Sequence, residues 1–185
     1  MSNIINNISS GNIETSGSIG LIATQTNILP LVGITSLTLN HGACSEPIDI
    51  ENASNLIVLN LPYLTSLTSS GTFTVYNCSA LTSISIPLLT DLYANYPINI
   101  HGNSALSAIT CSSAINLDAA SNKTAVFINN ALHQSTIDNL LVAFANGNTT
   151  NGVFTSNGGT NATPSVTGLT AKATLIGRGW TVTTN

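Results

Sequence analysis

Charge is what this chain most lacks. Of its 185 residues 5% are charged, against roughly 25% in an ordinary soluble domain. Lys123, Lys172 and Arg178 stand against seven carboxylates, for a formal net charge of -4. Nucleic-acid binding needs several phosphate-neutralising cations on one surface, so that class is excluded. Attraction to anionic lipid fails for the same reason. Long apolar runs are missing too, and without a window of roughly 18 apolar residues no membrane insertion is expected. Cys44, Cys78 and Cys111 are few, odd in number and without a CxxC pair, which excludes a zinc framework. The first residues carry neither a basic stretch nor an apolar core of leader length, so the expectation is synthesis in the cytosol without a signal peptide.

Solvation must therefore come from neutral groups. Asn, Ser and Thr make up well over a third of the chain. Such side chains suit closely spaced turns, because Asn tolerates left-handed backbone and hydroxyls bond to nearby main chain.

The clearest pattern is an internal repeat at one fixed step. Ile48, Phe73 and Ile98 share one column, and Ile50, Val75 and Ile100 the next. The same step carries Leu56 to Leu81 to Leu106, Leu59 to Ile84 to Ile109, and Leu67 to Leu92 to Leu117. A period of this length marks units too small to bury their own apolar face, which they bury against their neighbours. Each unit reads L-x-x-L-x-L, from Ile34, Leu56, Leu81 and Leu106. Its last three positions alternate apolar and polar, as in a short strand with one buried face. Thr38, Asn60, Ser85 and Thr110 are then the outward ladder of that strand. A second strand, Ile48 to Ile50 and its repeats, turns Asp49, Glu51, Tyr76 and His101 outward. Leu64, Leu67, Leu89 and Leu92 supply a third apolar side. Cys111 falls in the column of Leu61 and Ile86 and is expected to be a buried thiol. Cys78 lies at a turn and Cys44 in a loop, and a disulfide between those two stays open.

Beyond Leu117 the period lengthens slightly, with Val126 and Ile128, Val153 and Thr155, and Trp180 and Val182 expected to continue the strand column. Ser135 to Asp138 has capping-box spacing. Ile137, Leu140, Leu141 and Phe144 follow at helical spacing before Asn146 and Gly147. A second helix is expected from Ser165 or Val166 to Ile176, burying Leu169, Ala173 and Ile176. The expected fold is mostly β with C-terminal helices: a right-handed parallel solenoid of about 25-residue coils, capped by a βαβαβ tail that closes the open end with Trp180. Residues 1–18 are an N-terminal arm or an irregular cap. Residues 19–185 form one domain, with β coils over 19–125 and capping repeats over 126–185.

The run YNCSALTSISIP, from Tyr76 to Pro87, resembles the bacterial leucine-rich repeats whose units read roughly N-C-S-x-L-T-S-I-x-I-P. The added strand before each unit is similar to the L-domain variant of that repeat, found in receptor ectodomains and in bacterial and phage proteins. The tail, through NNAL at Asn129, GGTNA at Gly158 and GWTVTTN at Gly179, is similar to a C-terminal unit of such proteins. The resemblance covers roughly residues 34 to 185 and implies recognition or structure, not catalysis.

His41, His101 and His133 share no ligand spacing, and no serine or cysteine is placed as a nucleophile. No catalytic, cofactor-binding or metal residue is expected, and the chain is read as no enzyme. The reading is a phage virion-surface component, such as a decoration, fibre or host-contact module, made in the host cytosol. Its expected partners are a capsid or tail protein, sister subunits reached through Ile4, Ile5 and Ile8 of the arm, and a host-surface glycan or protein. The candidate binding face is Thr38, Asn60, Ser85, Thr110, Asp49, Glu51, Tyr76 and His101. Two alternatives are a bacterial surface or secreted adhesion module and an ice- or glycan-binding solenoid.

Overall fold

The computed structural model describes residues 12–16 by their backbone and residues 35–40, 42–44, 48–67, 72–93, 98–117 and 123–185 in full. Alternating apolar positions become short strands, and all the strand pairs are parallel. One sheet orders β1 (Asn12–Ser16), β2 (Ser36–Asn40), β5 (Val58–Asn60), β8 (Ser83–Ile86) and β11 (Ala108–Cys111). A narrow second sheet holds β3 (Ala43–Cys44), β6 (Ser66–Leu67) and β9 (Asp91–Leu92), extended by a bridge from Asp91 to Asn116. The third runs β4 (Ile48–Glu51), β7 (Phe73–Tyr76), β10 (Ile98–His101), β12 (Thr124–Val126), β13 (Val153–Ser156) and β14 (Thr181–Thr184). From β2 to β10 the chain visits the five-, three- and six-stranded sheets in fixed rotation, and one coil follows the next along the sheets.

The apolar columns meet inside. Leu56, Leu81 and Leu106 are fully buried, as are Leu59, Leu64, Leu67, Leu89 and Leu117. A coil of this size has no interior of its own, so each Leu packs mainly on its counterparts in the coils before and after.

Two helices follow, α1 (Gln134–Asn146) and α2 (Val166–Gly177). Leading into α1, Ala131 N donates to Leu106 O and His133 N to Ser107 O, each at 3.0 Å. The helix thus takes the place beside β11 where another strand would lie. α2 packs on α1 in turn, entered where Ala162 N donates to Leu132 O at 2.8 Å. The α1 face buries Ile137, Leu140, Leu141 and Phe144, the four positions expected from the spacing.

Several expectations are corrected. The α1 N-cap is His133, without a side-chain capping bond. Asp138, the supposed partner of Ser135, reaches instead to the start of α2, accepting from Ser165 N at 2.9 Å and from Ser165 Oγ at 2.5 Å. Ser165 in turn caps α2 by accepting from Thr167 N at 3.2 Å. α2 buries Gly168, Ala171 and Leu175, whereas Leu169 and Ile176 are about half exposed and Ala173 is exposed. Gly168 explains the choice: a Cβ there would clash with Asp138 and Pro164, so α2 turns its small residues toward α1 and lies close to it.

The tail register departs from the expected column by one residue at β12 and β13 and by two at β14. Ile98 pairs with Ala125, Ala125 with Phe154 and Phe154 with Val182. Ala125 and Phe127 are therefore the buried pair, while Val126 and Ile128 are half-buried on the other face. With a side-chain period of two, a one-residue shift exchanges the faces of a whole strand. Trp180 precedes β14 and is buried, its indole N–H donating to Thr149 O at 2.9 Å. It packs on Phe144 with ring centroids 5.8 Å apart. β14 is the end strand of the described sheet, with Thr181 and Thr183 exposed and α2 packed beside it, Lys172 donating to Thr184.

At the other end, Asn12 to Ser16 lie beside β2 with Ile13 opposite Leu37. That part of the expected arm is a strand in register with the repeat. Ile4, Ile5 and Ile8 lie outside the described residues.

Candidate functional site

The polar positions singled out in the sequence fall into two rows on different sheets. In the five-stranded sheet Thr38 pairs with Asn60, Asn60 with Ser85 and Ser85 with Thr110, one continuous row of small neutral groups. Glu14 holds the register position beside Thr38. In the six-stranded sheet Glu51, Tyr76 and His101 stand in the second row. The eight residues do not form one surface.

Asp49 keeps the outward side of its strand, in register with Thr74 and Asn99, but it is covered and not solvated. It is 8% exposed and accepts from Thr72 Oγ1 at 3.2 Å. A covered carboxylate is held more favourably when a neighbouring hydroxyl satisfies it than when it stands isolated.

Glu51, Tyr76 and His101 carry the most chemistry in the outer layer. The Tyr76 and His101 rings stack with centroids 4.3 Å apart and planes 28° apart. Burial under that stack lowers the His101 pKa below its ordinary 6.5, and the Glu51 charge works in the opposite direction. The imidazole is held mainly as a neutral, flat surface beside a phenol, an arrangement suited to contact rather than proton transfer. Gly102, at φ +69°, follows the stack, and a Cβ there would stand 3.3 Å from the Tyr76 ring. His133 is exposed at the start of α1, and His41 lies outside the described residues.

Beneath this row the asparagine-rich turns take the left-handed backbone that the composition suits, and they lead into an inward ladder that the sequence pattern did not reveal. Each strand of the six-stranded sheet up to the tail ends in a left-handed residue: Asn52, Asn77 and Asn129 at φ 55°, and Gly102. Asn tolerates that conformation at low cost, and Asn77 Nδ2 donates to Asn52 Oδ1 at 2.7 Å. The next residue turns inward, giving the column Ala53, Cys78, Asn103 and Asn130, all buried. Cys78 N donates to Asn103 Oδ1 at 2.8 Å, and Asn103 N donates to Asn130 Oδ1 at 3.0 Å. The amide nitrogens reach back, Asn103 Nδ2 to Val75 O at 3.0 Å and Asn130 Nδ2 to Ile100 O at 2.9 Å. Asn161 repeats the arrangement, accepting from Leu132 N and donating to Phe127 O and Ser156 O. Each side chain thus satisfies main-chain groups of two coils at the corner where the strand ladder stops. The visible signal was an asparagine recurring in a column whose earlier members, Ala53 and Cys78, are small and apolar.

Cys44, Cys78 and Cys111 form no disulfide. Cys44 lies on β3 and not in a loop. The Cys78 thiol, its pKa raised by burial, is directed at the carbonyls of Tyr76 and Ile50. Cys111 is only half-buried, because β11 ends its sheet; burial still pushes its pKa up to about 11. Both are poor nucleophiles at neutral pH.

Among the described residues no group of three or more His, Cys, Asp or Glu could hold a metal ion. No described helix is long and apolar enough to cross a membrane. Between the helices lies an open groove of about 520 Å³, lined by Val142, Ala145, Thr170, Thr174 and Arg178 among others. No family model, curated protein or solved structure matches the chain.

Proposed function

We propose that this chain is a non-enzymatic structural or recognition protein: a right-handed leucine-rich-type solenoid that displays neutral rows of side chains. The observation that carries the reading is where the polar chemistry is spent. Asn103, Asn130 and Asn161 are consumed in main-chain bonds, and Asp49, Asp91 and Asp138 accept from neighbouring hydroxyls and amides. What faces solvent includes the Thr38 to Thr110 row and the Tyr76–His101 stack, groups suited to hydrogen bonding and ring contact. Such surfaces suit glycan or protein contact through hydroxyls and a stacked ring.

The setting we propose is the surface of a phage virion, as a decoration, fibre or host-contact module bound to a capsid or tail protein. The resemblance of the Tyr76 to Pro87 unit and of the tail to repeats of bacterial and phage proteins supports it. Mass spectrometry of purified particles from a host carrying the gene tests the location, with the protein expected at stoichiometric copy number. Its absence from washed particles would sink the virion reading. A glycan array with the wild type and with Tyr76→Ala then tests the stack as a contact surface; equal binding by both would remove Tyr76 from that role.

A further inference from the structure

The α2 helix turns an apolar, uncharged face to solvent. Its Gly168, Ala171 and Leu175 are buried, and Thr167, Thr170 and Thr174 line the groove toward α1. At about 100° per residue, the side opposite the buried one carries Val166, Leu169, Ala173 and Ile176. All four are exposed, with Val166 at the lip of the groove. Val166 is 81% exposed, Leu169 51% and Ile176 52%. Lys172 is drawn off this face, because its ammonium donates to Thr184 of β14 at 3.0 Å. The end unit of a stacked array needs a polar outer face to stay soluble on its own. The outer face of α2 is not polar.

Spacing identifies the occupant. Val166, Leu169, Ala173 and Ile176 follow one another at three, four and three positions, the a-d-a-d pattern of a seam between two helices lying along each other. A strand, with its period of two, does not match such a seam. Size then selects a second α2. When two copies run antiparallel about a two-fold axis at the level of Ala171, Leu169 stands opposite the partner's Ala173 and Val166 opposite the partner's Ile176. The large side chain meets the smallest, and each contact is made twice. Antiparallel packing also opposes the two helix dipoles, which parallel packing would align.

We infer that α2 pairs with α2 of a second copy, antiparallel across a two-fold axis, through Val166, Leu169, Ala173 and Ile176. A seam of this helix's length, about 18 Å, lies at the low end of specific interfaces, below about 1,200 Å² in total. Association is therefore weak, with a dissociation constant of about 0.01 to about 1 mM. The contact counts most where copies are held at high local concentration. It requires no particular location of the protein, so it stands or falls separately from the virion setting.

Sedimentation equilibrium of the full chain, from about 10 μM to about 1 mM, gives the first test. The expected result is mass that rises from monomer toward dimer and goes no further, because a two-fold contact closes on itself. Leu169→Glu should weaken association about tenfold or more, since the seam loses apolar area and gains two facing carboxylates. Leu169 is half exposed, so circular dichroism and the melting midpoint should stay close to wild type. If that variant does not fold, Ala173→Glu, at another exposed position, should have the same effect. Methyl NMR is an independent reading: raising the concentration should shift the signals of Val166, Leu169, Ala173 and Ile176 and leave those of Ile48 and Leu117 in place. A monomer throughout the range, mass that grows past the dimer, association unchanged by the variants, or shifts that spare the α2 methyls would each overturn the inference.

Discussion

Between Ile48 and Leu117 every coil repeats at the step that carries Ile48 to Phe73 to Ile98 and passes through three sheets. From Lys123 onward the register steps from Ile98 to Ala125, then to Phe154 and Val182, each a longer stride, and a helix replaces two of the three strands. Both regions keep the six-stranded sheet and its buried corner column, filled by Ala53 and Cys78 in the first coils and by Asn103 and Asn130 in the later ones. They differ in what fills the opposite side. The early coils fill it with Leu and Ile columns, the tail with Phe127, Phe144, Phe154 and Trp180, whose rings lie 5.4 to 6.4 Å apart. A helix stands farther from the sheet than a strand does, and aromatic side chains fill the wider gap at native density. The invariant part of this architecture is therefore the corner where main chain must be satisfied.

The largest effect should come from that corner. Asn130→Ala strands Asn103 N and Ile100 O in the interior, and at about 1–3 kcal/mol per orphaned group the loss should be roughly 4 kcal/mol. Urea unfolding measures it, and a loss under about 1 kcal/mol would make the ladder incidental. Gly147→Ala comes next. It places a Cβ against the Ile115 carbonyl, where α1 rejoins the chain leading from β11, and should cost about 3 kcal/mol. The equivalent change at Gly42, whose nearest atom is 4.0 Å away, should cost far less. Asp138→Ala removes the tie between the helices and should cost about 2 kcal/mol, with amide exchange rising first in α2.

Ser156→Ala should act in the other direction. Ser156 holds the inward column after Ile100 and Phe127, and its hydroxyl is buried without a partner among the described residues. Its removal should be neutral or stabilise by up to about 1 kcal/mol.

The smallest effect is a pH slope. The folded state holds the His101 pKa below 6.5, so the unfolded chain binds the proton more readily. The resulting stability is fully present above pH 6.5 and is lost as pH falls from there through the folded pKa. His101→Gln should flatten that slope while leaving the stability at about pH 8 nearly unchanged, and an NMR titration of His101 should give a value under 6.5.

How far these features could be read in advance differed by residue. The columns of Leu56, Leu59 and Leu67 were legible because apolar periodicity is written directly in the order of residues. The α1 face was legible for the same reason. The α2 face was not: Leu169 and Ile176 had the right spacing, but Gly168 and Ala171 had the right size for a helix that must lie close to α1. At β12 the register failed by one residue because Val126 and Ile128 are as apolar as Ala125 and Phe127, so pattern alone could not choose the face. Asp49 looked solvated until Thr72 was placed beside it.

The order of residues by itself determined the step of the repeat, the strand positions of the coils between Ile48 and Cys111, the apolar columns of the interior and the lack of charge. Those follow from local periodicity and composition, which no fold can alter. Tertiary structure decided which of two apolar faces was buried in the tail, which asparagines went inward, and which polar rows shared a sheet. These depend on fit and on main-chain groups left unpaired at corners, terms that arise only when coils meet.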